Sequence, residues 1–153
     1  MERRSPHVVY IITKLELGGA QKVCLALFKG LREQGMESTL ISGDEGILAD
    51  EVRHDASAIL LKSFKREVTG AGLWDEIATF FSLIRILRDL KKKRGPLIVH
   101  THSTKAGLLG RWAALFAGCG IRVHTVHGFG FHEYQFLPAW IANYFLEFIT
   151  SLI

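Results

Sequence analysis

Short runs of β-branched and apolar residues alternate along this chain with longer stretches whose apolar positions recur at a helical period. Val8-Val9-Tyr10-Ile11-Ile12 is nearly continuous, the pattern of a strand covered on both faces. Gly18-Gly19 follow, and then Ala20, Val23, Cys24, Leu27, Phe28 and Leu31 form one stripe, with Lys22, Lys29, Arg32 and Glu33 off it. Gly35 stands where a left-handed helix terminator belongs. Residues 38–42 predict a second strand, 47–54 a weak helix, and 59–61 a short third strand. The longest helical pattern, 73–93, carries Ile77, Phe80, Phe81, Ile84 and Leu87 on one stripe, and Gly95-Pro96 ends it. A strand opens at Leu97. Ser103 stands at the cap of the next helix, whose face Ala106, Gly110, Ala113, Ala114, Ala117 consists of small residues and suits close approach to a sheet. Residues 121–126 predict a fifth strand, and Pro138 opens a last helix.

No hairpin signal separates the strands, so helical crossovers must join them in parallel. The pattern predicts one α/β domain over 1–153, an open doubly wound, mostly parallel sheet. Composition narrows the class without changing it. Of 153 residues, 48% are hydrophobic and 22% charged, which excludes a disordered chain. Two cysteines, Cys24 and Cys119, cannot supply a disulfide framework and read as reduced core thiols. Residues 1–7 lack the apolar core of a secretory signal, and Asn143 and Glu147 interrupt the most apolar stretch, 136–153. The expectation is a cytoplasmic protein.

In a doubly wound sheet, ligands bind beyond the carboxyl ends of the strands. Segments 13–20, 102–105 and 127–134 fall there. Gly18 and Gly19 bring bare main chain to a helix N-terminus, where N–H groups and the helix dipole favour an anion; a turn that needs glycine for geometry alone is the competing reading. Neither a G-x-G-x-x-G fingerprint nor a Walker sequence is present. His100, His102, His124 and His127 invite a metal reading, but no carboxylate or cysteine stands at ligand spacing beside them. His100 and His124 are expected within the sheet, and His102 and His127 at strand ends. Gly128-Phe129-Gly130 after His127 reads as a loop able to fold over a substrate.

Lys62, Lys65 and Arg66 form one basic cluster, and Arg85, Arg88, Lys91, Lys92, Lys93 and Arg94 another. Arg85, Arg88 and Lys92 share a helix edge. They fit an anionic membrane surface, or a solvated helix end where cations are favoured in any case. Aromatics are not interleaved with these cations as a nucleic-acid stacking platform requires, so no nucleic-acid partner is expected. They crowd the C-terminal part instead, at Phe129, Phe131, Tyr134, Phe136, Trp140, Tyr144 and Phe145.

Three segments resemble a known family. Residues 10–21, with Gly18-Gly19-Ala20, resemble the first strand and "GGA" turn of family 4 (group 1) glycosyltransferases. His100-Thr101-His102-Ser103-Thr104-Lys105-Ala106-Gly107 is similar to their "HTHSSKAG" segment, and His124-Thr125-Val126-His127-Gly128-Phe129 to "HTVHGF". The resemblance implies half of a GT-B architecture: a Rossmann-like acceptor-side domain, with the donor-binding domain and its paired glutamates absent from about 150 residues. It implies Gly18 and Gly19 at the donor diphosphate, His127 near the transferred sugar as the catalytic-site residue, and His102, Ser103, Lys105 and Gly128 along the cleft. The donor would be a nucleotide-sugar and the acceptor a glycan or lipid-linked molecule of the cell envelope. Transfer would proceed with retention, without metal or other cofactor, at the inner face of a membrane. The isolated chain would be inactive.

Two other readings remain open at this point. One is a metal-dependent hydrolase using His100, His102, His124 and His127. The other is a non-enzymatic module that binds a membrane surface or subunit through its basic helix and aromatic end.

Overall fold

A computed structural model describes residues 6–65, 72–128 and 137–153, with only the backbone at Ala139, Trp140 and Asn143. Its order is β1 (His7–Ile12), α1 (Gly19–Glu33), β2 (Ser38–Gly43), a 3₁₀ turn (Ile47–Ala49), β3 (Ala58–Leu61), α2 (Gly72–Arg94), β4 (Leu97–His102), α3 (Thr104–Phe116), β5 (Ile121–Thr125) and α4 (Leu137–Ser151). The five strands form one parallel sheet in the order β3-β2-β1-β4-β5. The chain moves outward from β1 to β3, returns across the sheet through α2, and moves outward again from β4. The direction of winding therefore reverses between β1 and β4, which makes the crevice beyond their carboxyl ends the place where such sheets bind ligands.

Helices cover both faces. Tyr10, Ile12 and Leu40 pack with Cys24, Leu25 and Phe28 of α1 on one side, joined by Leu48, Ala49 and Val52 from the β2–β3 connection. Val9, Ile11, Ile41 and Val99 pack on the other side with Leu83, Ile84 and Leu87 of α2 and with Ala106, Ala113 and Ala114 of α3. The small face of α3 does bring that helix close. A Cβ on Gly110 would lie 2.7 Å from Thr101 Cγ2, and one on Gly107 would lie 2.5 Å from the His124 ring. Gly35 has φ +76°, the left-handed terminator expected for α1.

Three expectations need correction. The stretch 47–54 forms only the single 3₁₀ turn, because Gly46, at φ +107°, folds against the Leu15 carbonyl and holds the connection tightly on β1. Val23 and Leu27 of the expected α1 stripe are half-exposed, since the sheet takes only the narrower line through Cys24, Leu25 and Phe28. On α2, Leu83, Ile84 and Leu87 are buried, but Phe81 is 63% exposed and Ile77 faces solvent with it. That helix carries more apolar residues than one contact face can cover.

Candidate functional site

Register determines which side chains meet at the switch point. Ile12 pairs with His102, so the residues just beyond, Thr13 and Ser103, emerge together at the carboxyl edge. Their hydroxyls are hydrogen-bonded at 2.8 Å, tying the end of β1 to the end of β4. A cleft of ≈ 440 Å³ opens there, lined by Thr13, Lys14, Glu16, Gln21, Ser103 and Lys105 among others. A depression of ≈ 380 Å³ lies at the opposite edge around His7, Arg32, Glu37 and Arg94. It sits at the strand starts, and an Arg94–Glu37 pair, in which one guanidinium nitrogen donates to both carboxylate oxygens, lines it.

Gly18 is the N-cap of α1, with φ −147° in extended backbone open to any residue. Gly19 has no positive φ, and a Cβ there would meet nothing within 4 Å. A Cβ on Gly18 would meet only the movable amide end of Gln21. Turn geometry therefore requires neither glycine. Their effect is to leave the start of α1 bare: no side chain caps it, and its first turn holds no carboxylate. The Gly19, Ala20 and Gln21 amides precede the first intrahelical bond, from Lys22 N–H to the Gly18 carbonyl, and are free to meet an anion.

Ser103 departs from the expected cap. It occupies the N-cap position of α3 without a capping bond, and its hydroxyl goes to Thr13 instead. Its backbone lies at φ 70°, ψ 151°, a region nearly restricted to glycine and worth about 1–3 kcal/mol of strain. Lys105 lines the cleft while its ammonium is held by Glu76 of α2 and by the Lys65 carbonyl.

His102 is not on the cleft wall. It is fully buried beneath the rim, with its ring between Tyr10, His100 and His127. Successive strand residues face opposite sides, and His102 points to the α1 face, where Tyr10 and Ile12 form the core. Its Nδ1 lies 2.9 Å from Nε2 of His127, and its own Nε2 has no hydrogen-bond partner among the described residues. Burial above all, with the neighbouring imidazoles, pushes the His102 pKa down to about 3. His127 is exposed just past β5, at the same edge as Ser103. Gly128 follows it in the open, and the loop expected to close over a substrate lies, from Phe129 onward, outside the described residues.

The four imidazoles do not converge. His100 bonds Thr125 at 2.7 Å on the α1 face, whereas His124 bonds Thr101 at 2.9 Å on the α3 face, against Gly107. Burial lowers the pKa of both. Among the described residues no group of three or more His, Cys, Asp or Glu is placed to hold a metal ion. This geometry removes the ligand set on which the hydrolase reading depended.

Of the expected membrane-facing cations, Arg85, Arg88 and Lys92 are all exposed on α2. Arg88 donates to the Phe116 carbonyl at the end of α3, the ordinary role of a cation at a helix terminus. Arg85 and Lys92 make no ion pair among the described residues. Arg66 and the aromatics Phe129, Phe131, Tyr134 and Phe136 lie outside those residues, as does the Trp140 side chain. No helix among them is long and apolar enough to cross a membrane. Sequence reading set segment 13–20 at this edge and residues 10–21 in a motif but gave Thr13, Gln21 and Tyr10 no role of their own. The only signal for Thr13 was its place one residue beyond a strand end, which gains meaning once β1 is known to lie beside β4.

Known proteins are similar to this chain. The chain is 38% identical over 142 residues to UDP-Gal:alpha-D-GlcNAc-diphosphoundecaprenol alpha-1,3-galactosyltransferase of Escherichia coli, a match covering 90% of this chain and 35% of that protein. The crystal structure of Acinetobacter baumannii MurG shares the fold with a TM-score of 0.60 at 18% identity, over 90% of this chain and 39% of that one. The chain thus spans little more than a third of the length of these two relatives. Residues 17–152 match Glycosyltransferase Family 4, from the glycine turn through the histidine strands into the last helix, and the chain belongs to that family.

Proposed function

We propose that this chain forms the acceptor-side half of an enzyme that moves a sugar from a nucleotide-sugar donor to a lipid-linked diphosphate acceptor, with retention of configuration. The observation that carries the reading is the bare N-terminus of α1, opened by two glycines that the fold itself does not need. Glycosyl transfer builds negative charge on the leaving diphosphate, and preorganised amides at a helix start stabilise such charge without reorganising. His127, at the same sheet edge, supplies a side chain to orient the transferred sugar. Ser103 and Lys105 border the space left for the acceptor, and Gly128 would approach it from the end of β5. The activity of the Escherichia coli relative supports a lipid diphosphate acceptor. The donor domain and its contacts to the nucleotide would come from a further part of the enzyme, so the 153 residues alone would not turn over. The mechanism calls on no metal or cofactor.

Gly19→Val in the complete enzyme tests this. Because a Cβ at Gly19 meets open space, the variant is expected to fold normally and to lose transfer activity at least about 100-fold, some 3 kcal/mol of transition-state stabilisation. Full activity would overturn the phosphate role.

Attachment to the membrane surface follows from α2. Trp74 and Phe81, 75% and 63% exposed, precede Arg85 and Lys92 along its outer side, an apolar stretch leading into cations. Each cation near an anionic bilayer contributes about 1 kcal/mol. Binding to anionic vesicles that weakens with salt, and that Arg85→Glu with Lys92→Glu abolishes, is the expected result.

A further inference from the structure

His127 cannot be understood apart from the buried ring beneath it. The centroids of His102 and His127 are 5.2 Å apart with 25° between the planes, and Nδ1 of one lies 2.9 Å from Nε2 of the other. Two rings with nitrogens this close meet edge to edge, and the hydrogen bond lies near both planes. One proton occupies that bond when both rings are neutral, and its owner determines the face His127 shows to the cleft.

The environment of His102 identifies the owner. Its Nε2 is buried without a partner among the described residues. If the His102 proton sat there, an N–H would be buried unpaired, a costlier and rarer condition than an unpaired lone pair. The proton therefore belongs on Nδ1. Neighbours reinforce the choice: Thr125 holds His100 through Nε2, and among the described residues no hydroxyl or carboxylate reaches His102 Nε2. Burial keeps the ring neutral through the physiological range.

We propose that His102 is a positioning residue: its Nδ1–H donates to Nε2 of His127 and locks His127 in the Nδ1–H tautomer. His127 then presents an N–H donor, and no basic lone pair, to an oxygen of the transferred sugar. The claim about substrate rests on the functional reading above, whereas the tautomer itself does not. It assigns His127 an orienting and charge-stabilising role in place of proton abstraction, and it gives the His102 position a purpose that burial alone would not require.

Nitrogen-15 two-bond correlation spectra of the histidine side chains in the 153-residue chain test the lock. The expected spectrum shows both His102 and His127 as Nδ1–H tautomers. Asn places an amide N–H where His Nδ1 stood, so His102→Asn keeps the His127 signature, while His102→Leu returns it toward the Nε2–H form that free imidazole prefers. A wild-type spectrum with His127 as Nε2–H overturns the proposal even if no variant folds. So does an unchanged His127 signature in folded His102→Leu. In the complete enzyme, His102→Leu is expected to lower kcat at least 10-fold with little change in donor KM, and His102→Asn to restore most of it. Should the tautomer be as proposed but His127→Ala retain full activity, the role assigned to His127 fails and the lock stands as structure only.

Discussion

Two strand-to-helix junctions meet at the cleft, and each has the residue its backbone does not ask for. After β1, Gly18 and Gly19 occupy conformations open to any residue, with room around Gly19. After β4, Ser103 is forced into a glycine-like conformation, and a few residues on Gly107 is the one position where a side chain cannot fit against His124. One junction omits side chains it could accommodate, and the other keeps a side chain under strain. Local inconsistencies of this kind concentrate where something other than the fold determines the residue. At the first junction the proposed function supplies it, as access of an anion to the helix N-terminus. At the second it is the Thr13–Ser103 bond that fastens the two switch-point strands.

The contrast can be broken in several ways. Acid should act first and most strongly through the buried imidazoles of β4 and β5, with the buried His7 on β1 acting in the same direction. His102 titrates near 3 in the folded chain and near 6.5 when unfolded, and burial also lowers His100 and His124. Between those values the unfolded chain binds more protons, so stability is full above about pH 6.5 and declines by a few kcal/mol as pH falls toward 3. Denaturant titrations across that range should show the decline, with a shallower slope in His102→Asn. An unchanged midpoint down to pH 4 would mean that these rings are not buried as described.

Next in size is Gly107→Ala. Its Cβ drives into the His124 ring, and overpacking of this kind costs about 1–3 kcal/mol, read as a lower melting temperature. Smaller again is the pair at Ser103. Ser103→Gly relieves strain while losing one hydrogen bond and should melt at or above the parent temperature, whereas Ser103→Ala keeps the strain and should lose about 1 kcal/mol. Smallest is Gly19→Ala, which should leave stability unchanged or raise it by about 0.5 kcal/mol through helix propensity. A large loss there would show that the fold does need that glycine, and the contrast between the junctions would disappear.

Much of this was legible before any coordinates. The continuous apolar run of β1, the terminator at Gly35 and the small face of α3 depend on neighbours close in sequence, and local pattern reports such neighbours faithfully. The three motif segments named the family. The misread helix faces have one cause. Whether Val23, Leu27 or Phe81 is covered depends on how far a partner surface extends, and a helical stripe carries no information about its partner's width.

What the amino-acid order determined by itself was periodicity, and through it the alternation of strand and helix, the parallel sheet and the edge at which chemistry belongs. Tertiary structure alone decided what covers each face of β4, and so moved His102 from the expected wall of the cleft to a buried place beneath it, bonded to His127. It also sent the Ser103 hydroxyl to Thr13, ninety positions away. Periodicity arises from bonds along the chain and is fixed by each residue's own geometry. Pairing across strands is a relation between distant segments, and its consequences exist only once the sheet has closed around them.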